Sequence, residues 1–213
     1  MNKMVLGLLA WSSVWMVQAQ TLERMLLVNN QAAAQKHYNE AQVKLINRKQ
    51  RSDNVKDAIL LLHKAAELGH ADAQVKLGKL YSTGIDAPVN IPSAVFWLKK
   101  AAASDHPDGL YQLAQFYHKG IGVPKSQTKA IDLWERGAKL SHGHAQLQLA
   151  LAYCFGDGTK RNYAHAYAWA YVAAKNGTNH ADELKNVIGS QILDKKDLVK
   201  AQKLAEKWGK LYY

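Results

Sequence analysis

The chain has 213 residues, 48% of them hydrophobic and 21% charged, with 14 Gly, 4 Pro and 1 Cys. These proportions exclude a collagenous, low-complexity or disulfide-dense chain and predict one globular body. The formal net charge of +11 favours acidic partners and carries no information about fold.

The first segment differs from all that follows. Lys3 precedes an apolar run from Met4 to Val17, and Val17 and Ala19 supply the small side chains that a signal peptidase reads at its −3 and −1 subsites. Residues 1–19 are therefore expected to be a signal peptide cleaved after Ala19. Ser12 and Ser13 interrupt a run of 14 residues, which is short of the roughly 20 that a spanning helix needs. No Cys follows the cleavage point to take a lipid, and no later segment reads as a membrane span. The expected compartment is periplasmic or extracellular.

Beyond it lie a first helix over about 33–47 and a second over about 55–68, with Ala41 and Leu45 as weak core positions. From there a fixed period of 36 residues governs the chain. It aligns Tyr81 with Tyr117 and Tyr153, Leu77 with Leu113 and Leu149, and Gly78 with Ala114 and Ala150. A second set, Ala58, Ala94, Ala130 and Ala166, keeps step with Ala66, Ala102, Ala138 and Ala174. A period of this length is the mark of a stacked repeat.

Within each unit the spacing is helical. Ala73, Leu77, Leu80 and Tyr81 form one stripe, and Ala94, Trp97, Leu98, Ala101 and Ala102 form another. Each repeat is thus two amphipathic helices. The small column at Gly78, Ala114 and Ala150 suits a close helix crossing. Asn54, Asn90, Ser126 and Asn162 stand where an N-cap of each second helix is needed. Gly69, Asp105, Ser141 and Gly177 stand where second helices close, a position that often takes a left-handed residue. Gly120, Gly122, Gly156 and Gly158 turn one helix into the next, whereas Asp86 replaces the second glycine and Pro88 and Pro92 stiffen the first turn. A final pair over 181–192 and 198–208 lacks the glycine turn, as a capping repeat does.

The pattern Ala-x-x-x-Leu-Gly/Ala-x-x-Tyr-x-x-Gly, followed by Ala-x-x-Trp/Leu-x-x-x-Ala-Ala, resembles Sel1-like repeats, which are related to tetratricopeptide repeats. Ala73–Gly84, Gly109–Val123 and Ala145–Gly158 carry it best, and Ala166-Tyr167-Ala168-Trp169 with the 200–208 segment looks like the end of bacterial members. The resemblance implies an all-α chain, an α/α solenoid or superhelix of about five helix-turn-helix repeats. It divides the sequence into the signal peptide, an N-terminal helical cap and degenerate repeat over 20–54, Sel1-like repeats over 55–178, and a capping helix pair over 179–213. It also implies a scaffold or adaptor for other proteins, some exported members binding secreted effectors or acting as immunity proteins against toxins. A cysteine-rich exported branch staples each repeat with a disulfide; Cys154, the one cysteine, permits no such staple and is expected to be buried.

Sequence signals for chemistry each have a structural explanation. Ser126-x-x-Lys129 matches the Ser-x-x-Lys of penicillin-recognising enzymes, yet Ser126 belongs to the N-cap column and the companion motifs are missing. His70, His106 and His142 are themselves 36 apart, on successive repeats rather than around one ion. No enzyme, cofactor or metal site is expected.

In a tetratricopeptide-like stack the first helices line the inner, concave surface. Counting from the core columns places Asp72, Lys79, Asp108, Tyr111, Gln115, His118, His144 and Leu151 on that face as partner-binding residues. Val75 and Leu147 share the column of Tyr111, which divides evenly between groove floor and inter-repeat core. The expected partner is another protein, acidic or a secreted effector or toxin. Nucleic acid is not expected, a membrane surface can be touched but not spanned, and the chain alone is expected to be monomeric. A structural adaptor in an envelope assembly and a penicillin-binding or β-lactamase-like protein are the alternatives.

Overall fold

Six helices of 13 residues each carry the repeat, and their starts keep the 36-residue offset: α3 (Ala71–Thr83), α5 (Pro107–Lys119) and α7 (Gly143–Phe155) alternate with α4 (Ile91–Ala103), α6 (Gln127–Lys139) and α8 (Tyr163–Lys175). They are flanked by α1 (Asn2–Ile46), α2 (Asp53–Glu67), α9 (Ala181–Val187) and α10 (Lys195–Leu211). The structure is a computed structural model that describes residues 2–47 and 53–213, with side-chain surroundings from Met16 to Asn47 and from Asn54 onward. Among the described residues the chain is all helix and turn.

The reasons for these helices are local. Asn90, Ser126 and Asn162 each accept a backbone N–H three residues on, at 3.1, 3.3 and 3.1 Å, so the N-cap column is realised at α4, α6 and α8. At α2 it is not. That helix starts at Asp53, so Asn54 lies inside it and donates its side-chain N–H to Asn47 O at 3.1 Å. Gly120, Gly122, Gly156 and Gly158 take positive φ, from 66° to 76°. Asp86 does not, since the non-glycine residues with positive φ among those described are Asp105, Ser141 and His180. The first turn is nevertheless closed like the others. Asn90 N–H reaches Tyr81 O at 2.8 Å, as Ser126 does Tyr117 and Asn162 does Tyr153. Pro92 falls in the first turn of α4, where its missing N–H costs nothing.

Where composition predicts one body, two compact units are distinguished, residues 1–73 and 74–213. In the first, α1 packs on α2 and buries Ala34, Ala41 and Leu45 on one side and Ala58, Leu62, Ala65 and Ala66 on the other. Lys44 and Asp57 pair across them at 2.8 Å. Instead of starting near Ala33, α1 is continuous from Asn2. The apolar run expected to be a leader lies, up to residue 15, outside the residues whose side chains are described. From Met16 to Ala32 every side chain is exposed. No helix is long and apolar enough to cross a membrane in the described part of the chain.

In the second unit the core runs through α4 to α8. Leu98, Leu110, Leu113, Trp134, Leu149 and Trp169 fill it between alanines such as Ala94, Ala114, Ala130 and Ala150. The close crossing expected at Gly78 is present: a Cβ there would stand 2.6 Å from Leu98 Cγ and Cδ2. The capping pair is less regular than a two-helix reading suggests. After α9 a π-helical turn, Ile188–Ile192, carries the chain on, and α10 extends to Leu211. Trp208 and Tyr212 then lie against Trp169, with ring centroids 4.6 and 5.5 Å away.

Candidate interaction face

In the second unit, helices α3, α5 and α7 bring together most of the side chains assigned to the inner face. Asp108, in the first turn of α5, accepts from Lys79 Nζ on α3 at 2.5 Å and from Gln112 Nε2 one turn on at 3.1 Å. His142, before α7, points Nε2 at the same carboxylate from 3.9 Å. Burial opposes the charge of Asp108, but these three polar neighbours and the ammonium of Lys79 outweigh it and hold the carboxyl far below the usual carboxylate range. Asp108 is therefore a fixed anion that links α3, α5 and the residue that caps α7.

An aromatic group lies beside it. Tyr111 stacks on His142 at 4.8 Å and stands 5.8 Å from His144, while Gln115 Nε2 donates to Tyr111 Oη at 3.0 Å. His144 is exposed, and Tyr111 and Gln115 are half-buried. Three predicted residues stand apart from this group. His118 turns toward α6, with Nδ1 2.7 Å from Gln127 Oε1 and its ring 5.4 Å from Trp134. Leu151 is half-buried further along α7. Asp72 belongs to the first unit, exposed and 3.9 Å from His70 Nδ1, where His70 stacks on Tyr38 at 4.3 Å. Val75 is buried, which assigns it to the core, whereas Leu147 is half-buried.

Sequence reasoning misses His142 and Gln112 as members of the group. The 36-residue histidine column is the available signal for the first. His106 and His142 are N-caps whose Nδ1 accepts from Gly109 N–H at 3.3 Å and from Ala145 N–H at 3.1 Å, and His70 Nδ1 takes Ala73 N–H at 3.4 Å. In this geometry Nδ1 is an acceptor, so neutral His142 carries its proton on Nε2, the nitrogen facing Asp108. The histidine thus fixes a helix start with one nitrogen and addresses the acidic centre with the other.

Other chemistry-bearing residues have local duties. Ser126 Oγ accepts from Lys129 N–H, while Lys129 Nζ lies over the Tyr117 ring at 5.2 Å, away from its motif partner. Cys154 is buried, and burial raises its thiol pKa against the opposing charge of Arg161. Among the described residues no group of three or more His, Cys, Asp or Glu side chains is placed to hold a metal ion.

Comparison with known proteins agrees with the helix register. The family model described as Sel1 repeat matches residues 49–70, 71–106, 107–142 and 143–178. Three of these segments open at the first residues of α3, α5 and α7. A Sel1 repeat protein from Oxalobacter formigenes is similar in structure, with a TM-score of 0.66 and 28% identity over 84% of this chain and 75% of that one. So is c5321, a protective antigen present in uropathogenic Escherichia coli strains and displaying an SLR fold, at a TM-score of 0.55 and 25% identity over 73% of this chain. The chain spans 41% of that antigen's length. A search of curated proteins finds no match.

Proposed function

The chain belongs to the Sel1 repeat family, whose α/α solenoid fold generally mediates protein–protein interaction, and we propose that it is an exported, non-enzymatic scaffold that binds another protein through the α3–α5–α7 face. One observation carries the reading. Lys79, Asp108, Gln112, Tyr111, Gln115 and His142 hold one another in place before any partner arrives, and Tyr111 and His144 leave ring surface open. A docking protein then orders few side chains, so less of its contact energy is lost to entropy. Aromatic anchors within a polar surround are the composition of an interface centre. The partner class we propose is an acidic secreted effector or toxin that the protein antagonises, because the net charge of +11 accelerates encounter with an acidic surface.

The test is affinity capture by the full chain from an envelope fraction and from the purified product of a neighbouring effector gene. Tyr111→Ala and His144→Ala lose retention roughly tenfold or more, whereas His118→Ala, whose ring faces α6, retains it. Undiminished retention by both of the first two variants overturns the assignment. Export is read separately: a chain beginning at Gln20 in the periplasmic fraction supports it, and an uncleaved cytosolic chain overturns it.

A further inference from the structure

The outward side of α10 carries a line of lysines, with exposed Glu206 beside it and no acidic side chain within it. Lys196, Lys200, Lys203, Lys207 and Lys210 follow one another at intervals of four, three, four and three residues, the alternation that keeps side chains on one helix face. At 3.6 residues per turn they occupy an arc of about 80° and a line about 21 Å long. All five are exposed. Ala201, Ala205 and Gly209, on the opposite side, are buried, and α10 packs on α8, so docking of the helix dictates that the lysines face outward. The exposed residues of α4 and α6 are mixed, α4 showing Phe96 with Lys99 and Lys100 and α6 showing Thr128 and Asp132 with Lys129 and Lys139, while α8 exposes Lys175 alone. Among the described residues, Lys200 is the one of the five in an ion pair, with Asp197 at 2.7 Å.

What such a line fits follows from its chemistry. It contains no arginine, whose rigid fork suits a fixed carboxylate, and consists of ammonium groups on flexible stems that follow headgroups as these rearrange. Exposed Val199 and Leu211 border it on either side, and exposed Tyr213 follows at the chain end. Long aliphatic stems flanked by apolar and aromatic side chains suit the boundary between headgroup and acyl chain. We propose that the lysine line of α10 docks the protein on an anionic phospholipid surface, independently of the α3–α5–α7 face.

The experiment is flotation of the full chain with vesicles of phosphatidylcholine alone and of phosphatidylcholine mixed with phosphatidylglycerol. The quantity read is the ratio of the two partition coefficients, to which the exposed apolar side chains of α1 contribute equally in both arms. A ratio well above one is expected, falling with added salt as screening shortens the reach of each charge. The triple variant Lys200→Gln, Lys203→Gln, Lys207→Gln lowers the ratio on the order of a hundredfold. A control with the same charge change elsewhere, Lys99→Gln, Lys139→Gln, Lys160→Gln, keeps most of it, with circular dichroism confirming that both variants are helical. Equal partitioning onto both vesicles, equal loss in both variants, or binding of polyglutamate without vesicle binding would overturn the proposal.

Discussion

Asp105 and Ser141 close α4 and α6 in the left-handed region, at φ 54° and 61°, where the same column elsewhere has Gly69 and Gly177. A side chain there costs about 1 kcal/mol. The two residues differ in what offsets it. Arg136 on α6 grips Asp105 through Nη2 at 2.6 Å and Nε at 3.2 Å while also donating to Ala102 O, so the aspartate connects one repeat to the next. Ser141 has no charge with which to do so. Ser141→Gly is therefore expected to stabilise the protein by about 1 kcal/mol, and Asp105→Gly to be neutral or destabilising; urea titration of both variants checks it, and equal effects refute the distinction. His165 offers a second test at this scale. Burial lowers its pKa below 6.5, Glu135 opposing, and its Nδ1 is buried without a partner between the rings of Tyr153 and Trp208. The folded chain binds this proton less tightly than the unfolded one, so the stability associated with neutral His165 is present above 6.5 and is lost as pH falls through the lower folded value. Melting between about pH 7.5 and pH 5.5 should show the decline, and His165→Phe should shrink it. An unaltered pH slope in that variant excludes His165 as a source.

At the scale of elements, some of the punctuation is readable and some is not. Asn90, Ser126 and Asn162 announce helix starts because an amide or hydroxyl beside a backbone N–H has one obvious use. His106 and His142 do the same work with an imidazole nitrogen, but histidine has too many other uses for the column to be assigned from spacing alone. Asn54 shows the converse, a residue in register whose helix begins one position earlier. The clearest feature hidden from sequence is Gln146. It is fully buried in α7, donates to Ala138 O and Tyr212 O at 3.0 Å each, and accepts from Asn176 at 2.8 Å. Its column partner Leu110 is buried and apolar, so periodicity predicts burial but not the polar duty, which exists because a chain end arrives 66 residues later. Gln146→Leu keeps the volume and strands those three groups. It should cost about 2–3 kcal/mol and speed amide exchange at the end of α10; protection there equal to the parent chain's would show that the tail is held by Trp208 and Tyr212 packing alone.

For the whole molecule, the 36-residue period is strong enough to yield the helix pairs because each repeat has to match its neighbours' small and large columns. The face is less legible, since exposure along first helices can be counted from the core columns, while mutual orientation of Asp108, Tyr111 and His142 depends on how the start of α7 meets α5. The N-terminal segment is legible by composition only. Among described side chains, burial in α1 begins at Ala34 and resumes at Ala41 and Leu45, well beyond Ala19. Every side chain from Met16 to Ala32 is exposed, so among the described side chains those that α1 buries all lie beyond the cleavage point expected after Ala19. A chain beginning at Gln20 is expected to melt within about 2 °C of the full chain, a shift worth less than about 1 kcal/mol at this length. Leu45→Ala, by contrast, opens a cavity on α2 and should cost the first unit about 2–4 kcal/mol. Calorimetry of the two proteins separates the cases: a large loss on shortening to Gln20 would mean that the leader segment stabilises the fold, and its cleavage in the mature protein would then be untenable.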